Sequence, residues 1–168
     1  SEQGVQHALQ RLRSDLPNAT LHGIVADAAT AAGCAKLIAG DTIDILVNNM
    51  GIFEPKPFED IPDEDWMRLF ETNVMSGVRL SRAVLPGMKQ RNRGRIVFIS
   101  SESGICPPAE MVHYGMTKSA QLSIARGMAE TCAGTGVTVN SVLPGPTLTE
   151  GAQAFLEKLA APGCAECR

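Results

Sequence analysis

The sequence predicts an α/β fold with a parallel sheet. Four short runs rich in Val, Ile and Leu, at 21–26 (LHGIVA), 43–48 (IDILVN), 95–100 (RIVFIS) and 137–143 (VTVNSVL), are mostly too continuous for strands with one wet face. Between them lie stretches whose apolar residues recur at helical spacing. Strands alternating with helices imply right-handed crossovers and a sheet covered on both faces. A length of 168 residues fits one domain, 1–168, with room for a sizeable core.

The clearest helical pattern begins after the second strand. Trp66, Leu69, Phe70, Asn73, Val74, Gly77, Val78, Ser81, Val84, Leu85 and Met88 trace one face of a long helix. Asp63, Glu64 and Asp65 occupy its first turn, where carboxylates complement the helix dipole, and the segment from Arg91 to Gly94 closes it. A second helix is expected from about Val112 to Ala133, stopped by Gly134 and Gly136, with Gln121, Arg126 and Glu130 on its polar side.

Composition excludes several classes of function. The formal charge is −3, and apart from Arg91, Arg93 and Arg95 the basic residues are scattered, so no broad positive face exists for nucleic acid. No apolar run approaches the roughly 18 residues that a membrane span needs. Five dispersed cysteines and a polar start without signal-peptide character point to a reducing cytoplasm. Only Cys164 and Cys167 have metal-like spacing, and no second pair or nearby histidine completes a zinc site, so no metal is expected.

In open parallel sheets ligands bind beyond the carboxyl ends of the strands. The residues found there are Asp27; Asn48, Asn49, Met50 and Gly51; Ser100 and Ser101; and Pro144, Gly145 and Thr149 within PGPTLT. Glycines allow close backbone approach to a ligand and Asn, Ser and Thr supply directed hydrogen bonds, although the same residues dominate any loop. Tyr114, the only tyrosine, and Lys118 stand one helical turn apart on one face. A nearby ammonium favours phenolate and would pull the tyrosine down toward the working range of a general acid or base. Asn73 is a polar residue within an apolar stripe: either it bonds locally in the core or it holds a backbone group or water for a site.

Taken together, NNMG, Asn73, Ser101, YGMTK and PGPTLT resemble the short-chain dehydrogenase/reductase family over roughly residues 1 to 155. Members carry Tyr and Lys four apart, a Ser thirteen residues before the Tyr, and an Asn on the preceding helix; Ser101 is thirteen before Tyr114. The resemblance, with features of bacterial 3-oxoacyl-acyl-carrier-protein reductases, implies a Rossmann-type doubly wound sheet. It also implies an NAD(P)-dependent oxidoreductase, with NAD or NADP as cofactor, interconverting a ketone and a secondary alcohol. Tyr114 would be the general acid/base, Lys118 would lower its pKa and hold the nicotinamide ribose, Ser101 would bond the substrate oxygen, and Asn73 would anchor a water relaying protons to Lys118. Asp27 would meet the adenine, Asn48, Asn49 and Gly51 would line the cofactor cleft, and Pro144, Gly145 and Thr149 would hold the nicotinamide end.

Met50 departs from the family's usual NNAG. Family members normally open with a strand, a glycine-rich phosphate loop and a second strand, none of which is recognisable here, and their last strand is also missing. The family's strand order, 3-2-1-4-5-6-7, then leaves the 21–26 strand without its link to the central sheet, and the 168 residues are expected to be part of a longer enzyme. A homodimer or homotetramer built on the helices from 63 and 112 is implied, and the rival expectation is an inactive fragment acting only as an oligomerising scaffold.

Overall fold

The structure, a computed structural model, describes residues 1–40 and 42–147. In chain order it contains α1 (Glu2–Asp15), α2 (Ala31–Leu37), β1 (Ile45–Asn48), α3 (Asp63–Phe70), a π turn (Glu71–Met75), α4 (Ser76–Gln90), β2 (Gly94–Ile99), α5 (Val112–Thr131) and β3 (Val137–Val142). The three strands form a parallel sheet in the order β1-β2-β3. The crossover from β1 to β2 is α3, the π turn and α4, and the crossover from β2 to β3 is α5.

Three of the four expected strands are therefore present, and residues 21–26 form none. No described strand lies beside that segment to receive its ladder hydrogen bonds, which is what the strand order of the resemblance implies. Gly23 instead lies under α1, where an added Cβ would approach Val5 Cγ1 to 2.4 Å.

Every residue of the apolar stripe expected from 66 to 88 is buried or half-buried. The core joins Val84 and Met88 of α4 to Ile96 and Phe98 of β2, Ala125 of α5, and Val137 and Val139 of β3. Full burial of side chains such as Phe98, Ile96 and Met88 stabilises by about 1.5–3 kcal/mol each. Gly77 brings α4 down onto the sheet: a Cβ there would sit 2.7 Å from Phe98 Cε1. The helix ends one residue before its expected basic stop, and Asn92, at φ 51, takes the left-handed position that follows a helix terminus.

The expectation of helices on both faces is met on one. Both α4 and α5 pack against the side carrying Ile96, Phe98, Val137 and Val139, whereas Ile45 (64% exposed) and Val47 (53%) on the opposite side are open among the described residues. Among the described residues the exposed large apolar side chains lie on that open side, in α1, α3 and in loops; of the helices from 63 and 112 implied to pair between copies, the first carries one, Met67 on α3, and α4 and α5 carry none.

Candidate functional site

The π turn lies where the sequence puts the polar Asn73 in an apolar stripe. Such single wide turns inside α-helices are frequent at functional sites. Here Thr72, Asn73 and Val74 are all buried in it. Asn73 Nδ2 donates to the Ile52 carbonyl at 2.8 Å and to Thr117 Oγ1 at 3.0 Å, while its Oδ1 accepts from the Ile52 amide at 2.7 Å. One side chain thus clamps both backbone groups of Ile52 and ties the loop after β1 to α5.

That clamp sets Gly51 above Lys118. A Cβ built on Gly51 would lie 3.6 Å from Lys118 Nζ and 3.8 Å from Asn73 Oδ1, so a larger side chain would stand between the ammonium and anything approaching it. Lys118 is only 5% exposed, and its Nζ donates to the Ile99 carbonyl at 2.8 Å and to Gln121 Oε1 at 3.4 Å. Burial pulls its pKa from 10.5 down to about 8. An ammonium carries three N–H donors, so one remains for a ligand among the described residues.

Tyr114 lies one turn earlier on α5, with the Lys118 Nζ 5.5 Å from its ring centroid and Phe53 edge-on at 6.1 Å. The expected lowering of its pKa by Lys118 is not what the structure gives. Burial pushes the phenol above its ordinary value, and hydrogen bonding with the Ser101 side chain opposes this as the smaller cause. Burial is the larger cause; the ammonium itself donates to the Ile99 carbonyl and lies over the face of the ring.

The two serines after β2 separate cleanly. Ser100, 4% exposed, donates its hydroxyl inward to the Lys118 carbonyl at 2.9 Å. Ser101 accepts from the Ser103 amide at 3.1 Å, which caps a short turn and holds its hydroxyl toward Tyr114. Asn73, Ser101, Tyr114, Lys118 and Gly51 are therefore brought together as one constellation.

Other expected residues fall elsewhere. Asp27 forms a local turn, its Oδ1 accepting from the Ala29 amide at 3.0 Å and its carbonyl from Thr30, beside the start of α2. Asn48 turns inward, 5% exposed, and its Nδ2 donates to Ser81 Oγ at 3.1 Å, so its side chain braces α4 and does not line a cleft; Asn49 is exposed. The Pro144 carbonyl accepts from the Glu102 amide, and Gly145 runs beside the Glu102 carboxylate, where a Cβ would meet Oε2 at 3.4 Å. Thr149 and the pair Cys164 and Cys167 lie outside the described residues. Among the described residues no group of acidic, histidine or cysteine side chains could hold a metal, and no helix is long and apolar enough to cross a membrane.

Gln121 corrects a second expectation. Placed on the polar side of its helix by pattern, it is 1% exposed and reaches both Lys118 and the carbonyl of Asn73. The signal that finds it is its spacing: three residues after Lys118, it shares that face of the helix. His113 is also fully buried, edge-on to Trp66 at 5.8 Å, with neither ring nitrogen bonded, and burial lowers its pKa.

The short chain dehydrogenase family model matches residues 1–160. An uncharacterized oxidoreductase of Bacillus subtilis, YvaG, is 48% identical over 159 residues, which take in 94% of this chain and 60% of that protein. The 3-oxoacyl-(acyl-carrier-protein) reductase of Vibrio cholerae is 40% identical over 103 residues, 61% of this chain and 42% of that one. Among solved structures, the closed form of serine dehydrogenase complexed with NADP+ superposes with a TM-score of 0.74 at 34% identity, covering 83% of this chain and 58% of the other. The chain thus spans less than two thirds of the length of these relatives.

Proposed function

Since the chain belongs to the short-chain dehydrogenase/reductase family, we propose that it carries the catalytic constellation of an NAD(P)-dependent oxidoreductase that interconverts a ketone and a secondary alcohol. One observation carries this reading. The Tyr114 phenol, its pKa lowered by the Ser101 side chain against the effect of burial, stands beside a buried Lys118 that still has an N–H to offer beneath Gly51 among the described residues.

The residues present fit a dinucleotide. Gly51 leaves open the space over Nζ that a side chain would fill, and the free N–H suits the hydroxyls of a ribose. Lys118 would hold the nicotinamide ribose, Asn49 and Gly51 would flank it, and Pro144, Gly145 and Thr149 would close the nicotinamide end. When bound, the cofactor supplies or accepts the hydride.

The chain's own residues then manage the proton. Ser101 positions the carbonyl oxygen, and Tyr114, a neutral phenol raised by burial, gives its proton to that oxygen as alkoxide character develops. Lys118, mostly ammonium at neutral pH with a pKa of about 8, stabilises the phenolate left behind.

A scaffold acting only by oligomerisation has no use for such a lysine. A buried ammonium with no carboxylate partner among the described residues lowers stability, and groups of this kind concentrate at functional sites. Ketone-bearing 3-oxoacyl thioesters are the substrate class proposed, on the similarity to the Vibrio reductase, and the working form is proposed to be a cytoplasmic homodimer or homotetramer. The test is a fluorescence titration of the purified chain with NADH and NADPH, followed by consumption of the reduced dinucleotide on adding a 3-oxoacyl thioester. Saturable binding with thioester-dependent consumption is expected; absence of binding to both nucleotides overturns the proposal for this chain.

A further inference from the structure

The resemblance places a water between Asn73 and Lys118, yet the structure puts a side chain there. Gln121 Nε2 donates to the Asn73 carbonyl at 2.6 Å, and Gln121 Oε1 accepts from Lys118 Nζ at 3.4 Å. The orientation of the amide follows from its partners: a backbone carbonyl can only accept and an ammonium can only donate. Gln121 is 1% exposed, so this bridge runs through protein interior. A side chain bonding the carbonyl of an interrupted helical ladder also helps to hold the wide turn open.

We propose that Gln121 is a positioning residue that takes the place of the relay water, tying the Lys118 ammonium to the π turn and favouring its charged state. This inference rests on the reading of Tyr114 and Lys118 given above. Among the described residues the groups facing Nζ from the packed elements are the Ile99 carbonyl of β2, Asn73 and its loop partner Gly51, and Gln121 itself, all uncharged, with Tyr114 as the titratable neighbour. With no carboxylate partner, the oxygen dipoles of Ile99 and Gln121 are what oppose the desolvation of the ammonium. Loss of one of them shifts Lys118 toward neutrality, and replacement by a carboxylate shifts it the other way.

The experiment follows the ε-carbon of Lys118 by NMR in lysine-labelled protein across a pH series, with the resonance assigned by its loss in Lys118→Gln. The wild-type midpoint is expected near 8. Gln121→Leu is expected to lower it by about 0.5–1 pH unit and Gln121→Glu to raise it by a similar amount. Gln121→Met, of matched length, stands in if Gln121→Leu does not fold, with thermal melts certifying each variant. A merely structural glutamine would lower thermal stability without moving the midpoint in opposite directions. Unmoved midpoints in folded variants overturn the proposal. In kinetic work, kcat of Gln121→Leu is expected to fall about tenfold at alkaline pH with KM for the dinucleotide little changed, whereas Gln121→Glu, which keeps Lys118 charged, is expected to show no such alkaline fall. The NMR titration needs no turnover, so a failure of the Tyr114 reading, seen as activity surviving in Tyr114→Phe, is distinguishable from a failure of this one.

Discussion

Asn73→Ala isolates what positions the site. Asn73 is 1% exposed and makes three side-chain hydrogen bonds, two to the backbone of Ile52 and one to Thr117. Each is worth about 0.5–1.5 kcal/mol net, and a buried partner left unpaired costs about 1–3 kcal/mol. The Ile52 groups are only part-buried, so water recovers some of that loss, whereas the Thr117 hydroxyl is fully buried but keeps its own bond to the Tyr114 carbonyl. The sum is about 3 kcal/mol, equivalent to a fall in Tm on the order of 6–12 °C for a domain of this size. The expected fall in a urea or thermal melt comes with a local signature, accelerated hydrogen exchange at the Ile52 amide, because the loop bearing Gly51 is released from above Lys118. A loss below about 1 kcal/mol, or an unchanged Ile52 amide, refutes the view that this side chain clamps the loop.

Two further outcomes follow from named groups. Because Tyr114 is the only tyrosine, its phenolate absorbance titrates one residue; the midpoint is expected above 10, and Ser101→Ala should raise it further by removing the bond that opposes burial. A midpoint below 10 in the free chain contradicts the assigned geometry. His113, buried and unpaired, has a folded pKa below the 6.5 of its unfolded state. The unfolded chain therefore takes up the proton first, and stability present above about pH 6.5 is lost as pH falls toward the folded value, even though Asp65 and Glu54 nearby favour the charge and Lys56 and Arg68 oppose it. His113→Phe, which keeps the ring against Trp66, should flatten that acid dependence in urea melts followed by Trp66 fluorescence; an unchanged slope assigns the effect to other groups.

Much of the architecture is written in periodicity. The stripe from Trp66 to Met88 identifies the long helix and its buried face correctly, and the runs at 43–48, 95–100 and 137–143 mark the three strands to within two residues. The run at 21–26 has strand composition without a strand, since pairing requires a neighbour that no local pattern reveals. The spacing that the family resemblance supplies also points to the Ser101, Tyr114 and Lys118 group. It does not find the directions of side chains: Asn48 turns into the core toward Ser81, and Gln121, assigned to a wet surface by polarity, becomes a buried bridge because a lysine is buried beside it. Nor does spacing reveal the sign of the Tyr114 shift, which the burial of the phenol decides.

The central claim is that Tyr114 donates the proton. It is tested most directly by Tyr114→Phe, with dinucleotide binding and carbonyl-dependent turnover measured on the same preparations. The account predicts that Kd for the dinucleotide stays within about twofold of wild type while kcat falls by about 10²–10⁴-fold, the contribution of a positioned general acid. Turnover close to wild type in the Phe variant, with binding intact, contradicts it.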